Sequence, residues 1–411
     1  MARLAERTSK IASSATMAVT ATVDKLRRAG VEVIDFGAGE PDFGTPDAIK
    51  LAAHQALDAE FTKYTPVPGI AELRRAVCDR YKTDYGVEYT ESQVILTAGG
   101  KQALYNTALA LFGPGDEVIT HVPYWPTIVE QIKLADATPV TVQTRPEDGF
   151  AIHADAILRA ITPRTRGIII NSPCNPTGAL ISEENLGAIA DVAAKQGIWL
   201  VVDLCYERLI YDAVPHNLPR VLATRCPELA VICGSASKAY AMTGWRCGWA
   251  IGPAQVTAAA NAIQSHATSN VNSITQKAVV AALTGSQAPV KLMLDEYRIR
   301  RDNLYGWLTA DARVKCQKPA GAFYMFPDIR DVLTASGLKS SNEFAQALLE
   351  DQRVAVTPGE AFDAPGFLRI SYATSMENLR EGSRRLLEFV NARAGARSET
   401  SQPPLASTSA R

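Results

Sequence analysis

The sequence predicts an α/β protein: a large domain built on a mostly parallel sheet flanked by helices, and a second, smaller α/β domain. Three observations carry this. Short, near-continuous apolar runs alternate with helical segments from Val94 to Cys233, the pattern of parallel strands buried on both faces and joined by helical crossovers. Apolar residues make up 47% and charged residues 21% of the 411, which describes an ordinary globular chain with a sizeable core. Polar residues and glycines collect just after the apolar runs, where open α/β sheets bind their ligands.

Taken in order, residues 18–29 read as a helix stopped by Gly30 and followed by a strand, Val31 to Phe36. Gly37-Ala38-Gly39-Glu40-Pro41-Asp42-Phe43 begins like a dinucleotide-binding glycine motif but continues with Pro and Asp, so it reads as a rigid turn. Pro46 to Glu60 is helical, Tyr64 to Gly69 is an irregular loop, and Ile70 to Tyr85 is another helix. Val94 to Thr97 opens the strand–helix alternation, and Gly99-Gly100 starts the helix Lys101 to Phe112. Further strands are Glu117 to Val122, Pro139 to Gln143, Gly167 to Asn171, Trp199 to Leu204 and Leu229 to Cys233, with helices at 127–135, 154–161 and 183–196. A long charged helix, Leu292 to Leu308, leaves this domain, and short strands and helices follow to Asn391. From Ala396 the tail is mostly Ser, Thr, Pro and Ala, a composition that cannot bury a core and is expected to be disordered.

The net charge of -1 gives no bulk reason to bind nucleic acid or an anionic membrane. No apolar run is long enough to span a bilayer, and Ile11 to Val19 is too rich in Ser and Thr for a signal-peptide core. The seven cysteines are scattered, with no C-x-x-C and no histidine pair at helical spacing. Neither a disulfide framework nor a metal site is expected, and a reducing cytoplasm fits best.

The chemistry centres on Gly234-Ser235-Ala236-Ser237-Lys238, with Arg246 eight positions further on. A lysine among small residues is a candidate amine nucleophile, because burial favours the free amine that attacks a carbonyl. Ser235, Ser237 and Arg246 supply the hydroxyls and planar donor fork that suit a phosphate dianion. Spacing alone leaves open a plain phosphate loop or an exposed Lys and Arg. Ser235-x-x-Lys238 also matches the S-x-x-K of penicillin-binding hydrolases, but the S-D-N and K-T-G partners are missing.

Other strand ends add to this set. Asn175 lies in a loop fixed by Pro173, Pro176 and Gly178. Asp203 ends a buried strand, where a helix cap or a structural acid is the plainer reading, and Tyr206 follows three residues on. Gly100 and Lys101 begin a helix whose N-terminus is a natural anion site. Together these residues describe one ligand, an aromatic aldehyde with a phosphate arm. Lys238 would form the Schiff base, and Asp203 would keep a ring nitrogen protonated. Asn175 and Tyr206 would hydrogen-bond a phenolate oxygen, and Ser235, Ser237, Arg246 and the Gly100–Lys101 amides would hold the phosphate. Trp125 could stack on the ring or be a turn or core tryptophan.

In these residues the chain resembles the fold-type I, class I aminotransferases that use pyridoxal 5'-phosphate, and in particular the bacterial aspartate aminotransferases of subgroup Ib. The match runs from about Ser14 to Asn391 through Gly39-Glu40-Pro41-Asp42-Phe43, Tyr64, Gly99-Gly100-Lys101, Asn175-Pro176-Thr177-Gly178, Asp203, Ser237-Lys238, Trp245-Arg246 and Phe367-Leu368-Arg369-Ile370-Ser371. The resemblance implies a small domain drawn from both chain ends. Its limits would be 1–45 for an N-terminal arm with part of the small domain, 46–290 for the large cofactor-binding domain, 291–395 for the linking helix and C-terminal small domain, and 396–411 for the tail.

It also implies roles. Arg369 would grip a substrate α-carboxylate, with a backbone contact from Gly39. Tyr64 would reach the cofactor phosphate of a neighbouring subunit, which makes a homodimer with shared active sites. The implied reaction is ping-pong transfer between amino acids and 2-oxo acids through Lys238.

Lys101 resembles the lysine that meets the side-chain carboxylate of aspartate, helped by Ser14-Ala15-Thr16, and so favours aspartate with 2-oxoglutarate; the plainer reading is a helix-start residue near the phosphate. Members that also accept prephenate tend to carry a lysine where this chain has Ala12, with Lys10 nearby. The usual Asp-Glu-Ile-Tyr-Glu pattern is here Asp203-Leu204-Cys205-Tyr206-Glu207, and Cys174 precedes Asn175 in place of the commoner Asn or Gly. Another amino donor (aromatic or alanine), a β-lyase on the same scaffold and a non-catalytic cofactor-binding domain remain alternatives, since fold and cofactor do not fix the reaction.

Overall fold

The computed structural model describes residues 3–13 and 15–400. The chain divides into two compact units. Among the described residues, one comprises 3–13, Gly39–Ile299 and Pro319–Tyr324; the other comprises Ala15–Ala38, Arg300–Lys318 and 325–400. The helix Ala288–Leu308 runs from the first into the second. The N-terminal piece of the second unit thus ends at Ala38 rather than 45, the division falls inside the long helix rather than at 290, and Pro319–Tyr324 returns to the first unit.

The strand expected at Val31 to Phe36 is reduced to Ile34–Asp35 (β1). The first unit then holds seven strands in one sheet: Val94–Thr97 (β2), Glu117–Val122 (β3), Thr138–Gln143 (β4), Thr165–Asn171 (β5), Trp199–Asp203 (β6), Ala230–Ser235 (β7) and Gly248–Ile251 (β8). Their order is β2-β8-β7-β6-β5-β3-β4. Neighbours from β7 to β4 run parallel, while β8 is antiparallel to both β2 and β7. β8 is an addition to the strands read from the sequence.

Alternate residues of these strands feed two apolar layers, which is what period-two side-chain alternation gives when helices cover both faces. Ile168, Ile170, Leu200, Val202 and Ile232 enter one layer. Ile169, Val201, Val231 and Ala250 enter the other. At Gly167 an added Cβ would lie 2.3 Å from the Phe112 ring, so only glycine lets the helix Gly100–Leu111 close on the sheet there. That helix is capped by Gly99 at φ 82°, a conformation that favours glycine. The helix Glu183–Gln196 starts at Ser182, whose Oγ accepts from Asn185 N at 3.1 Å, and ends at left-handed Gly197.

Tyr324–Met325 (β9) begins on the last residue of the first unit, and the second unit adds Val354–Ala355 (β10), Thr357–Pro358 (β11) and Leu368–Ser371 (β12). β1 pairs in parallel with β10, and β11 pairs antiparallel with β12, placing Thr357 opposite Arg369. The helices Arg330–Ser336, Ser341–Gln352 and Met376–Thr400 complete it, with Val23, Val33 and Ala355 in one apolar cluster. The last helix extends past Ala396, where a disordered tail was expected; residues 401–411 lie outside the described residues. Among the described residues no helix is long and apolar enough to cross a membrane.

Candidate active site

Register aligns the polar strand ends of the seven-stranded sheet. Asn171 sits beside Asp203, Asp203 beside Cys233, and both Ser235 and Thr97 beside Gly248. β7 runs directly into a single helical turn, Ala236–Ala239, capped by Ser235, whose Oγ accepts from Ser237 N at 3.0 Å. That turn carries Lys238. Its Nζ donates to the backbone oxygen of Gly39 and lies 5.9 Å from the ring centres of both Tyr206 and Phe323. The Gly39 turn is tied to the same stretch: Thr243 Oγ1 donates to Glu40 Oε2 at 2.8 Å, and Thr45 Oγ1 to Ala241 O at 2.6 Å.

Asp203 is buried, and its Oδ1 accepts from Cys205 N at 3.0 Å. Burial pushes its carboxyl up to about 7, opposed by the Cys205 amide and the charge of Lys238. Tyr206 is buried with its hydroxyl 2.8 Å from that of Tyr324. Asn175 is buried, and its N–H donates to Asn171 Oδ1 at 2.8 Å. Cys205, one of the departures from the family pattern, stays a protonated thiol, pushed up to about 12 by burial and by the Asp203 carboxylate.

Where the sequence led us to expect a phosphate, small residues and donors form a cradle. Ser235 Oγ donates to Ser237 Oγ at 2.8 Å. Arg246 Nη1 donates to Thr243 O at 3.0 Å and Nη2 to Ala98 O at 3.1 Å, which fixes the guanidinium against Gly99. A Cβ on Gly99 would lie 2.6 Å from Arg246 Nη2, and one on Gly248 would lie 2.5 Å from Gly100 N. Burial, followed by the charges of Arg246 and Lys238, holds Lys101 below the usual lysine range. Three cations near one helix N-terminus leave positive charge to be met by an anion. The set fits the ligand deduced from the sequence: a cradle for a phosphate arm, a buried acid for a ring nitrogen and an amine for an aldehyde.

The structure also describes the surroundings of the remaining expected residues. Trp125 caps the helix Pro126–Leu134, and its ring centre lies 5.1 Å from Lys101 Nζ. Tyr64 is 91% exposed. Arg369 belongs to the second unit, where it is buried. Its Nη2 donates to Gly37 O at 2.8 Å, and its guanidinium lies 5.1 Å over the Phe362 ring. Of the Ser14-Ala15-Thr16 stretch, Ser14 and the side chains of the other two lie outside the described residues.

Two side chains at the site were missed in the sequence. His121 is buried, with Nδ1 3.0 Å from Pro123 O, and its Nε2 accepts from Asn171 N at 3.2 Å. Burial takes it down to about 4, so the ring is neutral and braces the Asn171–Asn175 turn. A lone histidine in an apolar strand gave no spacing to read. Tyr324 is the other; nothing in Gly321-Ala322-Phe323-Tyr324 linked it to Tyr206.

The chain matches the family described as aminotransferase class I and II over residues 31–386. An aspartate aminotransferase of Bacillus subtilis (strain 168) is 40% identical over 388 residues, covering 94% of this chain and 99% of that one. An aspartate/prephenate aminotransferase of Cereibacter sphaeroides is 42% identical over 395 residues, covering 95% and 99%. The solved structure of the Thermus thermophilus aspartate aminotransferase with maleate superposes with a TM-score of 0.89 at 42% identity, covering 94% of this chain and 100% of that one.

Proposed function

The chain belongs to the class I and II aminotransferase family and is a transaminase, and from that premise we propose that it moves the amino group of L-aspartate to 2-oxoglutarate in a ping-pong cycle with pyridoxal 5'-phosphate. The observation that carries the reading is the meeting, within one unit, of Lys238, buried Asp203 and the Gly100, Ser235, Ser237 and Arg246 cradle. When bound, the cofactor supplies an aldehyde that takes up the amino group and a ring that draws electrons from the α-carbon.

The side chains do the rest. Lys238 would hold the cofactor through its amine, and that amine, when free, would take up the substrate's α-proton at Nζ. Asp203 would meet the ring nitrogen and keep a proton on it. Asn175 and Tyr206 would donate to the ring oxygen, and Trp125 would stack on the ring. Arg369 grips the α-carboxylate with a planar fork that lysine could not replace, and Gly39 adds a backbone contact. Lys101 meets the side-chain carboxylate of aspartate. The exposure of Tyr64 supports its role across a homodimer, and the free state of all seven cysteines supports a reducing cytoplasm.

The visible absorbance of purified protein, before and after L-aspartate without an acceptor, tests this. A cofactor band that L-aspartate bleaches is expected. A band unmoved by aspartate but bleached by an aromatic amino acid or alanine would move the substrate assignment. Absence of any band with added pyridoxal phosphate would overturn the reading of Lys238. Prephenate as a second acceptor is favoured by the name of the Cereibacter relative, against which stand Ala12 and the pairing of Lys10 with Glu6 at 3.3 Å. Recovery of the bleached band on adding prephenate decides it.

A further inference from the structure

We propose that Tyr324 is a positioning residue for the reaction, donating its hydroxyl proton to Tyr206 Oη and so aiming the Tyr206 proton at the ligand's ring oxygen. The inference rests on the role given to Tyr206 above. The two hydroxyls are 2.8 Å apart, both residues are buried, and their rings meet edge to face at 5.9 Å. Each hydroxyl has one proton. If Tyr206 spends its own on the ligand, Tyr324 is the donor of the pair, and the two bonds in series polarise one another.

The chain goes to some length to put Tyr324 there. The segment Pro319–Tyr324 returns to the first unit after the chain has left it. On one side Gly321 N donates to Gly178 O at 2.9 Å, and a Cβ on Gly321 would lie 2.7 Å from Pro173, so the segment lies close against the loop that carries Asn175. On the other side Ala322 N donates to Leu209 O at 2.8 Å and Tyr211 N to Ala320 O at 2.9 Å, just past Tyr206. Tyr211 Oη donates to Ala322 O at 2.5 Å as well. One short segment therefore braces both groups assigned to the same ring oxygen.

The test is a pH titration of the visible band of holoenzyme for the unaltered protein, Tyr206→Phe, Tyr324→Phe and the double variant. Apoprotein affinity for pyridoxal phosphate and thermal unfolding are measured alongside. Tyr324→Phe leaves the Tyr206 donor in place but weakens and frees its bond to the ionised oxygen, and should raise the midpoint by about 0.5–1 pH unit. Tyr206→Phe should raise it further, and the double variant should go no further than Tyr206→Phe. The turnover number of Tyr324→Phe should fall about two- to tenfold with KM unchanged.

A midpoint for Tyr324→Phe equal to that of the unaltered protein, whatever its melting temperature, overturns the proposal. So does a shift that adds in full to that of Tyr206→Phe. Should Tyr324→Phe fail to fold, 3-fluorotyrosine at position 324, a more acidic donor, must lower the midpoint, and an unchanged midpoint overturns the proposal equally. A titration in which even Tyr206→Phe leaves the midpoint unmoved rejects the underlying role of Tyr206 rather than that of Tyr324 alone.

Discussion

Asp203 ends the strand Trp199–Asp203 and Glu207 follows four residues later, and burial pushes both carboxyls up to about 7. Their surroundings differ in kind. Asp203 is met by a backbone amide and by the charge of Lys238, the cation to which a ligand role is proposed. Glu207 is met by neutral hydroxyls: Tyr85 Oη donates to Oε2 at 2.9 Å and Tyr81 Oη to the same oxygen at 3.2 Å, with Trp249 Nε1 donating to Tyr81 Oη at 3.2 Å behind it. Raised proton affinity therefore does not by itself mark a chemical group; the partners do.

The comparison can be broken at several points. The largest effect belongs to the cation on the Asp203 side: Lys238→Ala should abolish steady-state transamination, and measurable turnover would remove the reason for reading that side as chemical. Asp203→Asn should come next. Loss of a buried charged partner costs about 3–5 kcal/mol, so kcat/KM should fall about 10²- to 10⁴-fold, read by steady-state kinetics. Loss of less than tenfold would make Asp203 a structural acid.

Glu207→Gln should leave kcat/KM within about threefold, since Glu207 touches no ligand in this reading. Its effect is on stability. The folded carboxyl binds its proton more tightly than the unfolded one, whose ordinary value is 4.5. Stability from this group is therefore full below about pH 4.5 and falls as pH rises towards about 7. Denaturant unfolding of the apoprotein should show a shallower fall over that window in the Gln variant, by on the order of 1–3 kcal/mol; equal slopes would reject the assignment. The smallest effect is expected of Tyr85→Phe, about 1 kcal/mol of stability with activity unchanged. A large activity loss there would join the two regions into one.

Much of this was legible before the structure. The strands at 94–97, 117–122 and 199–203 follow from short runs dominated by Val, Ile and Leu, and Lys238, Asp203, Asn175 and Arg246 stand out as polar groups near the ends of the sheet's strands. β8 was not, because Gly248-Trp249-Ala250-Ile251 is four residues long, opens with glycine and follows the Lys238 stretch without a helix between. Yet β8 places Gly248 between Thr97 and Ser235 and so makes room for the cradle. His121 and Tyr324 act through contacts 50 and 118 residues away in sequence, which no local pattern encodes. The strand read at Val31 to Phe36 shrank because its partner is only Val354–Ala355, and a ladder extends no further than the shorter strand.

That pairing also sets an order of events during synthesis. Ile34 and Asp35 emerge from the ribosome early, but Val354 and Ala355, the residues they pair with, emerge some 320 residues later. At about 5–20 residues per second, the N-terminal piece of the second unit waits on the order of 16–64 seconds for its partner. Over that interval the whole of Gly39–Ile299, with Lys238 and its cradle, has been made and can fold. Arg369 comes later still, so the grip proposed for the substrate's α-carboxylate is the last part of the machinery to be translated.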